Sequence, residues 1–175
     1  LTSTPATDGA INGELPSIVV SGSGEPGDPF DITLNDAWAD EVARSPRGVM
    51  AYAEETGDQS GVTTVVDLTG LSATWTADPT RVYLTVLHIP RLLKNTAAGT
   101  VTGWITDPSN SALTSSLLTL GAAEYGFMVV QVREAGLSGV TTRKGRIATS
   151  GGGDLDIESA VGRPSFIMVS DVGAA

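Results

Sequence analysis

The stretch Leu71-Ser72-Ala73-Thr74-Trp75-Thr76-Ala77 alternates strictly, with Leu71, Ala73, Trp75 and Ala77 on one side of an extended chain and Ser72, Thr74 and Thr76 on the other. Successive strand side chains point to opposite faces, so this period of two predicts a half-buried strand with Trp75 in a core and a row of hydroxyls in water. Outward in both directions the same texture continues. Candidate strands fall at 48–54, 62–66, 71–77, 81–89, 100–105, 113–120, 125–134, 140–149 and 164–171. Between them stand ordinary turn residues. Asp78-Pro79 and Asp107-Pro108 preset turn geometry, Gly57-Asp58 and Ser150-Gly151-Gly152-Gly153 supply positive φ, and Thr69-Gly70 is read as separating two runs. Strands this close together, with no helical pattern between them, predict an all-β fold: an antiparallel β-sandwich, jelly-roll-like. No repeat of 20–50 residues is present, which excludes solenoids and propellers.

Upstream of Pro46 the texture changes. Pro5, Pro16, Pro26 and Pro29 interrupt the first 29 residues, and Ser21–Asp28 is rich in small turn-formers. Ordering a backbone residue costs about 1–2 kcal/mol, which such a segment cannot offset by its own burial. Residues 1–45 are therefore expected to form an extended acidic arm that docks on another surface and carries one short helix, and residues 46–175 a β-sandwich domain. Ile18, Val19 and Val20 read as a strand, and Phe30 to Leu34 alternates, with Phe30, Ile32 and Leu34 apolar. Asn35 or Asp36 can cap a helix that Pro46 closes, with Leu34, Trp38 and Val42 on one stripe. These apolar residues are the expected interface of the arm. Ile167 and Val169 join them, because Ser165-Phe166-Ile167-Met168-Val169 is apolar on both faces and one face is expected against a neighbouring subunit or the arm. The assembly expected is a homotrimer.

Composition narrows the function classes. The chain has 175 residues, no cysteine and a formal net charge of −10, so neither disulfides nor thiolate metal sites are available. Seven of those net negative charges lie in residues 1–45, where eight acids face Arg44 alone. This balance repels nucleic acid, which is bound through clustered Lys and Arg. The basic cluster Arg143, Lys144 and Arg146 is read as a solvated strand or hairpin edge. No apolar run approaches the roughly 18 residues that cross a bilayer, so no membrane insertion is expected. Leu1–Ala10 shows neither the basic start nor the apolar stretch of a signal peptide.

Chemistry is sparse. The single histidine, His88, lies within an alternating strand, and no Gly-x-Ser-x-Gly elbow accompanies it. Neither a P-loop nor a Gly-x-Gly-x-x-Gly between strand and helix is present. Asp154, Asp156 and Glu158 fall on one face of a strand, half of a calcium site in kind but read as an exposed polar face. The expectation is a protein that is not an enzyme and has no cofactor, metal or catalytic residue. For glycan binding the candidates are Trp104, as a stacking surface, with Asp107 and Asn110 of the adjacent turn to hold hydroxyls.

Two segments carry a family resemblance. Gly61–Ala77, which contains Val66-Asp67-Leu68-Thr69-Gly70-Leu71-Ser72, and Arg163–Gly173, which reads Arg-Pro-Ser-Phe-Ile-Met-Val-Ser-Asp-Val-Gly, resemble a β-domain at the C-terminus of minor tail and fibre-type proteins of actinobacterial phages. Pro46–Tyr52 is similar to the lead-in of that domain. The resemblance spans about 46–175 and departs after Trp75, where Asp78–Tyr83 replaces a Gly-Arg-Arg-Tyr turn. It implies a structural component of a phage virion, a minor tail or appendage protein, with other virion proteins as partners and a location on the tail or capsid exterior; a host cell-surface glycan is a further expected partner of the displayed body. A capsid decoration or head-fibre protein and a free carbohydrate-binding module are the alternative roles. The matching motifs are structural, and no catalytic residue is carried over.

Overall fold

A chain that alternates apolar and hydroxyl side chains must bury one face of each strand, and two sheets packed face to face do so. The computed structural model describes residues 44–175 in full and the backbone of 18–21 and 31–34. The chain divides into two units, Leu1–Ser45 and Pro46–Ala175. In the first, β1 (Ile18–Ser21) and β2 (Asp31–Leu34) pair antiparallel, Ile18 opposite Leu34 and Ser21 opposite Asp31. The two apolar runs expected in the arm thus pair with each other. Leu34 ends β2, and the rest of the expected helix, with Trp38 and Val42, lies outside the described residues, as does Phe30.

The second unit holds ten strands: β3 (Gly48–Glu55), β4 (Gln59–Val62), β5 (Val66–Ala77), β6 (Arg81–Lys94), β7 (Gly99–Thr106), β8 (Ala112–Leu120), β9 (Glu124–Ala135), β10 (Gly139–Thr149), β11 (Leu155–Ile157) and β12 (Ser165–Ala174). Among its described residues, regular structure is strand alone. The pairing is nested: β3 with β12, β5 with β10, β6 with β9 and β7 with β8, all antiparallel. Eight long strands therefore form one hairpin bent at the β7–β8 turn. Lateral pairing of β12 with β6 and of β10 with β7 closes it into two sheets, β3-β12-β6-β9 and β5-β10-β7-β8. This is the winding of a jelly roll. The short strand β11 pairs with the far end of β6 at Leu92–Lys94 and with β4, extending one sheet.

The core lies between the sheets. Leu71, Ala73, Trp75 and Ala77 of β5 meet Tyr83, Leu87 and Ile89 of β6, Val101 and Ile105 of β7 and Ile147 of β10. Trp75 is 5% exposed and packs with its ring centroid 5.5 Å from that of Tyr83, as the alternation predicts.

Four local expectations are corrected. The run 62–66 is not a strand: β4 ends at Val62 and β5 starts at Val66. Thr69-Gly70 does not end a strand either, but forms a bulge inside β5. Asp67 stands opposite Arg146 and Ser72 opposite Lys144, so five steps on β5 face two on β10, and Gly70 adopts φ +73°. The extra residues turn both Leu68 and Leu71 into the core. Strand β6 runs past Pro90 to Lys94, because its register with β9 shifts between Ile89 and Leu92, a bulge that accommodates the missing N–H. Finally, β10 is an internal strand, not an edge. Its basic residues are divided by the pleat: Arg143 points inward to Glu134 at 2.7 and 2.8 Å, while Lys144 and Arg146 face outward.

Candidate functional site

Two outer surfaces could act on a partner. On the sheet β5-β10-β7-β8, pairing aligns Asp67, Arg146, Trp104 and Ser115 in one row. Asp67 accepts hydrogen bonds from Arg146 Nε at 2.6 Å and from Lys144 Nζ at 3.0 Å. The Lys144 bond, aided by Arg146 and opposed by desolvation, holds the Asp67 carboxyl below its ordinary value. Beside this network Val65, Trp104, Thr106, Asn110, Ala112 and Arg146 line a cleft of about 200 Å³. The turn that closes it is built by Asp107, whose Oδ1 accepts from the Ser111 amide at 2.8 Å and whose carbonyl accepts from Asn110 N at 3.1 Å. Asn110 sits at φ 70°, in the left-handed region that asparagine tolerates, and its Oδ1 accepts from Lys144 Nζ at 2.6 Å. The fold thus brings Trp104 and Asn110 to one cleft and commits Asp107 to the turn. Thr106 follows Trp104 by two on the same strand and was missed although strand parity could have found it, whereas Val65 and Arg146 meet Trp104 only through long-range pairing and gave no local signal.

The second surface is the outer face of β3-β12-β6-β9. Its rows run Glu54, Phe166, His88, Val129, then Tyr52, Met168, Val86, Gln131, then Val49, Ser170, Leu84, Arg133. Phe166 stacks on His88 at 4.9 Å and lies 5.7 Å from Tyr52. Val49, Tyr52 and Phe127 are 59%, 50% and 69% exposed, so large apolar side chains are open to solvent on a face that also carries Glu54, His88, Gln131, Ser170 and Arg133. The doubly apolar last strand is explained, with one correction. Ile167 and Val169, expected at an interface, are fully buried between the sheets, and Phe166 and Met168 occupy the outward face. The interface expected of Ile18, Val19, Val20, Ile32 and Leu34 concerns side chains outside the described ones.

The remaining charged groups brace the fold. Asp154 and Asp156 share the Asn95 amide, at 3.2 and 2.9 Å, Asp156 also accepts from Gly61 N at 2.8 Å, and Glu158 pairs with Arg91 at 3.0 Å. No cluster of three or more residues suited to a metal ion occurs among the described residues. Lys94 is buried and donates to the Gly152 and Gly153 carbonyls. At the other end of the sandwich Arg81 and Asp171, each 1% exposed, form a two-point pair: Nε to Oδ2 at 2.8 Å and Nη2 to Oδ1 at 2.7 Å. Gly173 N donates to Asp171 Oδ1 at 2.9 Å. Desolvation raises the Asp171 pKa, but the Arg81 and Gly173 hydrogen bonds outweigh it and leave the carboxyl below the ordinary 3.8. His88 is lowered from 6.5 by burial, and its Nδ1 has no hydrogen-bond partner among the described residues.

These shifts set a pH dependence. His88 binds protons less readily folded than unfolded, so its contribution to stability is present above 6.5 and is lost as pH falls from 6.5 through its folded value. Asp67 and Asp171 contribute fully above 3.8 and lose that contribution as pH falls through their lower folded values. Melting curves should therefore show a decline in Tm in two stages, and His88→Leu should remove the first. A wild-type Tm that stays flat between about pH 7.5 and about pH 5 would contradict the burial of neutral His88.

No protein-family model and no curated protein matches the chain. Solved structures similar to it match at low identity and at TM-scores below 0.5. One is a mutant VP2 protein of infectious bursal disease virus in derived T=1 particles, at 14% identity and TM-score 0.41 over 88% of this chain and 42% of that one. A second is dimeric latent PorU from Porphyromonas gingivalis, at 13% and 0.40 over 75% of this chain and 13% of that one. A third is a carbohydrate-binding module of Cellvibrio mixtus lichenase 5A in complex with cellotriose, at 12% and 0.33 over 69% of this chain and 96% of that one. The chain thus spans less than half of the VP2 and PorU chains.

Proposed function

We propose that the chain is a non-enzymatic structural component of a phage virion, a minor tail or appendage protein of fibre type. It docks through residues 1–45 and displays the jelly roll of 46–175 toward the host surface. The observation that carries this reading is the outer face of β3-β12-β6-β9, where Val49, Tyr52, Phe127 and Val129 stand exposed together. Its occupant is a further copy of the same chain. Glu54 stands at the β3 edge of the face and Arg133 at the β9 edge, so a head-to-tail neighbour can set acid against base, and the closed ring we propose for it is a homotrimer. The resemblance to phage tail domains is compatible with this architecture, because the two segments that bear it are a bulge and a central strand, both structural.

The test is mass spectrometry of purified infectious particles: the chain should be present in copy numbers that are multiples of three. Its absence from particles that infect normally would overturn the reading. Capsid decoration is the second role. The Trp104 cleft favours a third, glycan recognition, which belongs equally to an appendage or to a free binding module.

A further inference from the structure

We propose that the cleft beside Trp104 is a saccharide site and that it takes a sugar bearing a carboxylate. The inference deepens the host-contact part of the function above by naming the chemistry of the ligand.

The cleft holds about 200 Å³, below the roughly 300–1,000 Å³ of pockets for drug-sized ligands and suited to a single ring. Trp104, half-buried on the outer face of β7, supplies an apolar wall on which the C–H face of a pyranose can stack. Two residues further along the strand Thr106 lines the same cleft. It is 1% exposed, and its Oγ1 has no hydrogen-bond partner among the described residues. A buried hydroxyl without a partner is unfavourable, and native structures keep few of them. Because Thr106 lines the cleft, a turn about its χ1 presents this hydroxyl to a ligand hydroxyl there. Thr85 Oγ1 is also without a partner, but it lies between the sheets at 0% exposure, where no ligand reaches.

Charge selects among sugars. Lys144 and Arg146 share the one Asp67 carboxylate, while Asp107, nearest in the turn, is bonded to the Ser111 amide and does not line the cleft. Arg146 uses Nε for Asp67, and its two terminal nitrogens have no hydrogen-bond partner among the described residues. A guanidinium so placed offers its remaining donors to a carboxylate. With Asn110 Oδ1 engaged by Lys144, the amide nitrogen of Asn110 is the donor left for a ring hydroxyl.

The test is calorimetric titration of the full chain with the methyl glycosides of galacturonate, glucuronate and N-acetylneuraminate, and with neutral methyl galactoside and methyl glucoside. At least one acidic sugar should bind about tenfold or more tighter than its neutral counterpart. Trp104→Ala should lower that affinity about tenfold or more, and Arg146→Gln should abolish the preference for the acid. Thr106→Val is the decisive variant. It should weaken binding about three- to tenfold while raising the Tm of the free protein by about 2–4 °C, because a hydroxyl without a partner is removed. No binding by any of the three acids, neutral sugars bound equally well, or binding unaffected by Trp104→Ala or Thr106→Val would each overturn the proposal. None of those results would bear on the presence of the chain in virions, which mass spectrometry decides.

Discussion

Asp171→Asn is expected to lower the stability of the sandwich by about 3–5 kcal/mol, the usual effect of removing one partner from a buried ion pair. Asp171 stands on β12 and Arg81 at the start of β6, 90 residues apart in sequence and joined by two hydrogen bonds with almost no exposure. The amide can accept only one of these bonds and carries no charge, so the guanidinium stays buried without its carboxylate. The same carboxylate also receives Gly173 N, which fixes the register shift between Asp171 and Gly173 at the end of the β12–β6 ladder. Urea unfolding measures the loss, and replacing both partners with apolar residues, Arg81→Met with Asp171→Leu, should recover most of it. An Asp171→Asn variant within about 1 kcal/mol of wild type would mean that the pair is ornamental.

Phe127→Asp is expected to convert the self-associated form to monomer, read as a threefold fall in mass by light scattering coupled to size exclusion. Phe127 is 69% exposed and neighbours Val129 on the outward side of β9, so the folded monomer tolerates the change. In an assembly covered by this face, burying an aspartate in place of a phenylalanine forfeits about 1.5–3 kcal/mol of apolar burial in each copy and adds the desolvation of a charge. The dissociation constant should rise about 100-fold or more. Wild type that is already monomeric at high concentration, or a variant that remains associated, would contradict the use of this face.

The sequence makes parts of this legible and leaves others hidden for physical reasons. Alternation in Leu71–Ala77 reports a strand and its buried side directly, because the pleat maps sequence parity onto faces, and Trp75 lies where that parity puts it. Parity fails at bulges. Gly70 and Pro90 read as breaks, since both are turn and breaker residues, yet each sits in a strand whose partner skips a step. The apolar character of Ser165–Val169 was visible, but which face meets the core depends on pairing with β3 and β6, and this sent Ile167 and Val169 inward instead of Phe166 and Met168. Trp104 and Asn110 could be suspected together, being six residues apart around a turn. Thr106, two residues beyond Trp104 on the same strand, could have been added by parity, but Arg146 could not, because its place in the cleft follows from the long-range pairing of β10 with β7. The Arg81 and Asp171 pair gives no local signal at all.

The measurement that tests the central claim most directly is cryo-EM of intact particles with the chain located by its jelly-roll density. Threefold density at the tail tip or on an appendage, with β3-β12-β6-β9 faces turned toward one another, is the result expected. Particles without density for this chain, or monomers with that face in solvent, would contradict it.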